Sequence, residues 1–311
     1  MDANARYTEG RKLGSGTYGD VFKAFDTTRN HLVAIKHIKV TRRGIGLPSA
    51  ALREITVLQE LRHPNIVRLE DVAIDFPRCG AIALVFEYLD TDLSKLIRYE
   101  RNMCRAGVKL YMHQLLSGLA HCNERCVMHR DIKPANILLD RSTNTLKLAD
   151  FGLARHHGIP ISAFTHEVVT LWYRSPEILL GAAEYDSSVD VWSLGCVFAE
   201  LAIGMPLFPG NNEIDQIFKI FKVLGTPSPA SELGQLKHFN AQFPNFPRTD
   251  LAAITRLPPL GVDLLMRMLD YSPSRRISAS DALRHPYFAD VSVAVPRRDT
   301  SSPPTKRARK E

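Results

Sequence analysis

The sequence predicts a two-lobed α+β fold, a small antiparallel sheet carrying one helix followed by a larger, mainly helical lobe. Three observations predict it. Short strand-like runs with apolar alternation fill the first 88 or so residues, interrupted by a single helical stretch. Beyond Asp90 the apolar residues recur at helical spacing, as Leu110, Leu115, Leu116 and Leu119 do within 108–123. Between the two lies Phe86-Glu87-Tyr88-Leu89-Asp90, where the chain should cross from one lobe to the other. The predicted organisation is an N-terminal tail over 1–6, a first lobe over 7–88, a hinge and second lobe over 89–288, and a disordered basic tail over 289–311.

Composition narrows the classes. The 311 residues suit one large domain or two moderate ones. No apolar stretch approaches the ~20 residues that span a bilayer, and 189–205 is interrupted by Asp190, Ser193 and Glu200, which suits a buried core helix better. The start, Met1-Asp2-Ala3-Asn4, has neither the basic residues nor the apolar run of a secretory signal. Five cysteines without Cys-x-x-Cys spacing read as reduced thiols. Of the net charge of +7, the last stretch, 291–311, carries four, so the body is only mildly basic. Neither a direct nucleic-acid partner nor a membrane is expected.

Residues 7–13 read as a first strand, followed by Gly14-Ser15-Gly16-Thr17-Tyr18-Gly19-Asp20-Val21. Glycines there let the backbone turn tightly and bring N–H groups to a phosphate. Gly-x-Gly-x-x-Gly alone also fits a dinucleotide loop, but that loop opens a helix. Here Val21-Phe22-Lys23-Ala24-Phe25 continues as a strand, which favours a glycine-rich hairpin over a nucleotide. The next strand, 31–38, places Lys36 on the opposite face from Ile35; read alone, Lys36 is a solvated strand lysine. Pro48 opens a helix over 49–61. Leu52 and Glu54 lie about 200° apart on it, so a Glu54 pointing inward turns Leu52 outward. Strands over 66–74 and 81–88 complete the sheet. Helices are predicted over 108–123, 189–203, 213–224, 260–269 and 280–285.

The chemistry concentrates in His129-Arg130-Asp131-Ile132-Lys133-Pro134-Ala135-Asn136 and in Asp150-Phe151-Gly152. Together they supply two carboxylates, a lysine and a carboxamide. Phosphoryl transfer from ATP needs such groups: a carboxylate for the proton of the attacking hydroxyl, a cation beside the moving phosphoryl group, and oxygen ligands for magnesium.

Glycine loop, Val33-Ala34-Ile35-Lys36, helical Glu54, His-Arg-Asp, Asp-Phe-Gly and Ser175-Pro176-Glu177 occur in one order. The set resembles the eukaryotic protein kinase domain from about Tyr7 to Phe288. Within the kinases it is similar to the cyclin-dependent kinase family, through Pro48-Ser49-Ala50-Ala51-Leu52-Arg53-Glu54, the segment 165–174, and Gly210-Asn211-Asn212-Glu213-Ile214-Asp215-Gln216. It departs from that family's pattern at Ala50, Ala51 and Leu52, at Asp20 and at Ser175.

The resemblance implies the protein kinase fold and the following roles, carried over from the general kinase scheme. Asp131 would be the base, Lys133 the cation, Asn136 and Asp150 the magnesium ligands, and Thr170 a partner of Asp131 and Lys133. Gly14, Gly16 and Gly19 would cover the ATP phosphates, and Lys36 would bind them while pairing with Glu54. Leu13, Val21, Ala34 and Leu138 would sandwich the adenine, Phe86 would wall the pocket, and Glu87 and Leu89 would offer it backbone hydrogen bonds. Glu177 would form a buried pair with Arg276.

Regulation follows from the same resemblance. Thr165 would be phosphorylated by an upstream activating kinase and drawn onto Arg53, Arg130 and Arg155, which repel one another without it. Thr17 and Tyr18 would be inhibitory phosphosites. Val168, Val169 and Arg174 would select a proline after the acceptor in protein substrates with Ser/Thr-Pro sites. Leu52 would contact a cyclin, and in the lone chain Glu54 must first swing in to meet Lys36. The implied activity is an ATP- and Mg2+-dependent serine/threonine kinase of the cell cycle or of transcription. A kinase needing no cyclin and a catalytically silent pseudokinase are the alternatives. Lys306-Arg307-Ala308-Arg309-Lys310 resembles a nuclear import signal as well as a solubilising tail, so nucleus and cytoplasm are both expected.

Overall fold

Alternation along the first lobe builds a five-stranded antiparallel sheet. The computed structural model describes residues 6–16, 19–38, 49–75, 81–100, 103–156 and 171–291. Strands β1 (Tyr7–Gly16), β2 (Gly19–Asp26), β3 (His31–Ile38), β4 (Leu69–Asp75) and β5 (Ala81–Glu87) pair in the order β1-β2-β3-β5-β4. Register fixes which side chains share a face. Val21 pairs with Lys36, Lys36 with Leu84, and Ala34 with Phe86, so these residues look to one side. Ala24, Val33, Ile35, Ala83 and Val85 form a separate apolar cluster. The glycine run is itself paired strand, Gly14 opposite Val21 and Gly16 opposite Gly19, so β1 runs beyond the predicted end at Leu13.

Helix α1 (Ser49–Glu60) packs against the turn Phe151–Leu153. It buries Val57 and Leu58 in a core that continues through Leu84 and Phe86 into the second lobe. That lobe is built on α3 (Arg105–Glu124) and α5 (Ser188–Ile203). Helix α5 is enclosed almost all round, with Trp192, Leu194, Val197 and Phe198 fully buried, as expected of a helix apolar on every side. Among the described residues, no helix is long and apolar enough to cross a membrane.

The other helices are α2 (Leu93–Tyr99), α4 (Pro176–Leu179), α6 (Glu213–Leu224), α7 (Leu251–Thr255), α8 (Pro259–Met268) and α9 (Ala279–Leu283). Short strands β6 (Thr91–Asp92), β8 (Ile137–Asp140) and β9 (Thr145–Leu148) make a small sheet, and β7 (Val127–Met128) pairs with β10 (Arg155–His156).

Several predicted boundaries are corrected. The strand expected from residue 66 begins at Leu69, because Ile66 instead makes a parallel bridge to Leu148. Helix α2 was not predicted; Asp92 starts it by accepting the Lys95 N–H at 3.0 Å. The helix expected over 280–285 is Ala279–Leu283, capped by Ser278. Arg6, just before β1, is anchored to the sheet: its guanidinium reaches Asp26 at 2.7 Å and Asp71 at 2.6 Å. At the other end, Asp290 accepts Lys109 Nζ at 2.6 Å. The basic run 306–310 lies outside the described residues.

Candidate active site

The site forms where the inner face of the sheet meets the loops between β7 and β10. The hairpin of β1 and β2 closes it from above. At Gly19 a Cβ would stand 1.9 Å from the His37 carbonyl oxygen, so only glycine fits this approach of β2 to β3. Asp20, acidic beside a phosphate loop, is tied across the hairpin: it accepts Ser15 Oγ at 2.8 Å and pairs with Lys12 at 3.0 Å.

Lys36 leaves β3 on the cleft face, and Glu54 meets it from α1. Lys36 Nζ lies 2.9 Å from both Glu54 oxygens and 3.1 Å from Asp150 Oδ1. Burial opposes the charge on Lys36, but the two carboxylates outweigh it and its pKa is raised. Burial raises the Glu54 carboxyl, against the pull of Lys36. For Asp150 burial also pushes upward, yet Lys36 prevails and its pKa is lowered. The expectation that Glu54 stands away from Lys36 in the lone chain is therefore corrected: the pair is formed in this structure. Leu52 is 49% exposed and Glu54 2%, as their separation around α1 requires.

The loop after β7 is held from below. Asp190, fully buried in α5, accepts the His129 N–H through Oδ2 and the Arg130 N–H through Oδ1, both at 2.7 Å. Burial raises its carboxyl, and the two amides and His129 oppose this. His129 bonds the Ala149 carbonyl at 3.0 Å and stacks obliquely on Phe151, ring centroids 4.6 Å apart. Arg130 (φ 70°) and Asp150 (φ 62°) both occupy the left-handed region. Such conformations cost ~1–3 kcal/mol each and persist only where the surroundings fix them. The fixed loop brings Lys133 Nζ to Asp131 Oδ2 at 2.8 Å, and Asn136 Nδ2 to Asp131 Oδ2 at 2.8 Å and to its carbonyl at 2.9 Å.

The resulting cleft measures about 1110 Å³. Leu13, Gly14, Gly19, Val21, Ala34, Lys36, Glu54, Phe86, Glu87, Leu89 and Leu138 line it above and around, and Asp131, Lys133, Asn136 and Asp150 below. The Glu87 carboxylate is taken up by Lys147 Nζ at 2.8 Å and the Arg68 N–H at 2.8 Å, and its own N–H donates to the Arg68 carbonyl at 3.1 Å, so its backbone carbonyl is the group it can offer a base.

A family model described as Protein kinase domain matches residues 7–288. The chain belongs to the protein kinase family. Its two-lobed fold agrees, and protein kinase domains use ATP and Mg2+. In this kinase Asp150 and Asn136 provide a carboxylate and a carboxamide oxygen at one end of the cleft, an oxygen-only set that suits magnesium.

The other predicted kinase positions are distributed as follows. Arg130 and Arg155 come close enough to repel, and the Arg130 guanidinium stands 5.8 Å from the Tyr185 ring centroid. Arg53 sits on α1 next to Glu54. Arg174 pairs with Glu213 at 3.6 Å. Glu177 and Arg276 form a bidentate buried pair, at 2.8 and 3.0 Å. Thr17, Tyr18, Thr165, Val168, Val169 and Thr170 lie outside the described residues.

Sequence reasoning missed the work of α5. Its three polar interruptions all serve the site: Asp190 holds the loop at 129–130, Glu200 accepts the Tyr173 hydroxyl at 2.7 Å, and Ser193 Oγ donates to the Tyr173 carbonyl at 2.8 Å. The signal was available, because a carboxylate inside an otherwise apolar helix must find donors. The cleft lining also includes Val67, Asp92, Lys95, Ala149 and Leu153, none of them predicted.

Proposed function

We propose that the chain is a proline-directed serine/threonine protein kinase, activated by a cyclin partner and by phosphorylation of Thr165 by an upstream kinase. The observation that carries the catalytic part is the convergence of Lys36, Asp131, Lys133, Asn136 and Asp150 on one cleft. The acceptor hydroxyl oxygen attacks the γ-phosphorus, the bond from that phosphorus to the β,γ-bridging oxygen breaks, and ADP leaves. Asp131 orients the hydroxyl and takes its proton. Lys133, 2.8 Å from Asp131, keeps a positive charge beside the moving group. Lys36, oriented by Glu54, faces the α- and β-phosphates. Leu13, Val21, Ala34 and Leu138 hold the adenine, and the backbone of Glu87 and Leu89 bonds it. Asn136 and Asp150 would hold magnesium, which would supply positive charge beside the phosphates.

The cyclin reading rests on α1. Leu52, half-exposed, shares that helix with the buried Glu54. Burying Leu52 against a partner would contribute roughly 1.5–3 kcal/mol, enough to shift a balanced equilibrium about tenfold or more. A specific observation favours the second reading, a kinase that needs no cyclin: the Lys36–Glu54 pair is already formed. Turnover of a serine-proline peptide by the purified chain, alone and with cyclins, separates the two. The cyclin reading expects a low rate alone, a large rise with a cyclin, and loss of that rise in Leu52→Glu. Equal turnover with and without cyclin would replace it by the second reading.

The cellular role, in the cell cycle or in transcription, and residence in nucleus and cytoplasm are part of the same proposal. The basic run at 306–310 supports nuclear entry. Replacing its four basic residues with alanine should move a tagged protein toward the cytoplasm; an unchanged distribution would remove the claim.

A further inference from the structure

We infer that Gln216 is a positioning residue for the peptide substrate, locking residues 171–174 onto the start of α6. The inference rests on the chain phosphorylating peptides, and not on what activates it.

Gln216 is 0% exposed. An amide so enclosed must have partners for its polar atoms, and Gln216 finds them on two separate segments. Its Oε1 accepts the Gly210 N–H at 3.0 Å, and its Nε2 donates to the Trp172 carbonyl at 3.3 Å. Trp172 closes the ring, its Nε1 donating to the Gly210 carbonyl at 2.9 Å. A Cβ on Gly210 would stand 2.5 Å from both Gln216 Cα and Oε1, so the loop lies directly on the helix.

The helix start that carries Gln216 is itself fixed. Asn212 Oδ1 accepts the Asp215 N–H at 2.9 Å, Asp215 Oδ2 accepts the Asn211 N–H at 2.9 Å, and the Gln216 N–H meets the Asn212 carbonyl at 2.8 Å. Beyond Trp172 the same segment is tied twice more, Tyr173 to Glu200 and Arg174 to Glu213. Gln216 is thus the enclosed centre of a lock in which Trp172, Asn212 and Glu213 reach the surface.

The segment it locks borders the acceptor side of the site: Ser193 holds the Tyr173 carbonyl at 2.8 Å one turn along α5 from Asp190, which holds the loop leading into Asp131. Gln216 itself does not line the nucleotide cleft. Loosening the lock should therefore weaken peptide binding and leave ATP binding alone, a split that a general loss of stability would not produce.

The test is steady-state kinetics on the full chain in its most active preparation, with a serine-proline peptide and ATP varied separately. Gln216→Met keeps the volume and removes both amide bonds. It should raise the peptide KM about tenfold, with the ATP KM unchanged. Trp172→Phe removes only the bond to Gly210, on a ring that is already partly exposed; it should raise the peptide KM about threefold. If Gln216→Met does not fold, Trp172→Phe decides. An unchanged peptide KM, or equal shifts in both KM values, would overturn the lock. An unmutated chain that cannot phosphorylate any peptide would overturn the kinase reading, and the lock with it.

Discussion

Asp190, on the most deeply buried helix, accepts the backbone N–H of Arg130 at 2.7 Å, sixty residues away in sequence. Its second oxygen takes the neighbouring His129 N–H at the same distance. One carboxylate therefore fixes a loop turn that includes a left-handed arginine, and the next residue is Asp131. The core of the second lobe and the chemistry of the cleft meet at this carboxylate.

Asp190→Asn tests that connection. The carboxamide turns one acceptor into a donor facing a backbone N–H, and leaving a buried donor unmet costs ~1–3 kcal/mol. The variant should unfold at lower urea, and kcat should fall about tenfold or more because Asp131 is no longer held. The KM for ATP should change little. A destabilised variant with normal kcat would show that the tether serves stability alone.

Ser175 offers a prediction of the opposite sign. It is buried, and its Oγ finds no hydrogen-bond partner among the described residues. Ser175→Ala removes an unmet polar group and should be neutral or stabilising by up to ~1 kcal/mol, with kinetics unchanged. The urea midpoint measures it, and a clear destabilisation would reveal a partner for the hydroxyl.

His63 sets a pH dependence. Its Nδ1 accepts the Asn65 N–H at 3.1 Å and its Nε2 meets Ser117 Oγ at 3.2 Å. Burial, then the nearby His121, Arg125 and Lys147, lower its pKa to about 4. The folded value lies below the unfolded one of about 6.5, so protonation favours the unfolded chain. This contribution to stability is complete above pH 6.5 and is lost as pH falls toward 4. His63→Gln should flatten the fall in urea midpoint across that window; an equal slope in both proteins would assign it to other groups.

Much of this was legible in the sequence because the relevant geometry is local. The alternation of β3 put Lys36 on the cleft face, and the turn of α1 set Leu52 against Glu54. What escaped was set by distant partners. Asp190 reads only as an interruption in an apolar run until the loop at 129–130 is folded over it. Gln216 looks like a solvent-facing residue on an amphipathic helix, and only Trp172 and Gly210 show why it is buried. Helix α2 is seven residues long, too short to announce itself by periodicity. The position of α1, whether Glu54 meets Lys36 in the lone chain, depends on packing against Phe151–Leu153 and is not written in either residue.

In the proposed reaction Asp131 receives the proton of the acceptor hydroxyl. Asp131→Asn should keep the fold and the affinity for ATP, since the side chain remains next to Lys133 and Asn136. General-base assistance typically contributes 10²–10⁴-fold, so phosphorylation of a serine-proline peptide should fall by about a thousandfold. A variant that binds ATP normally and turns over the peptide at near the unmutated rate would contradict the account.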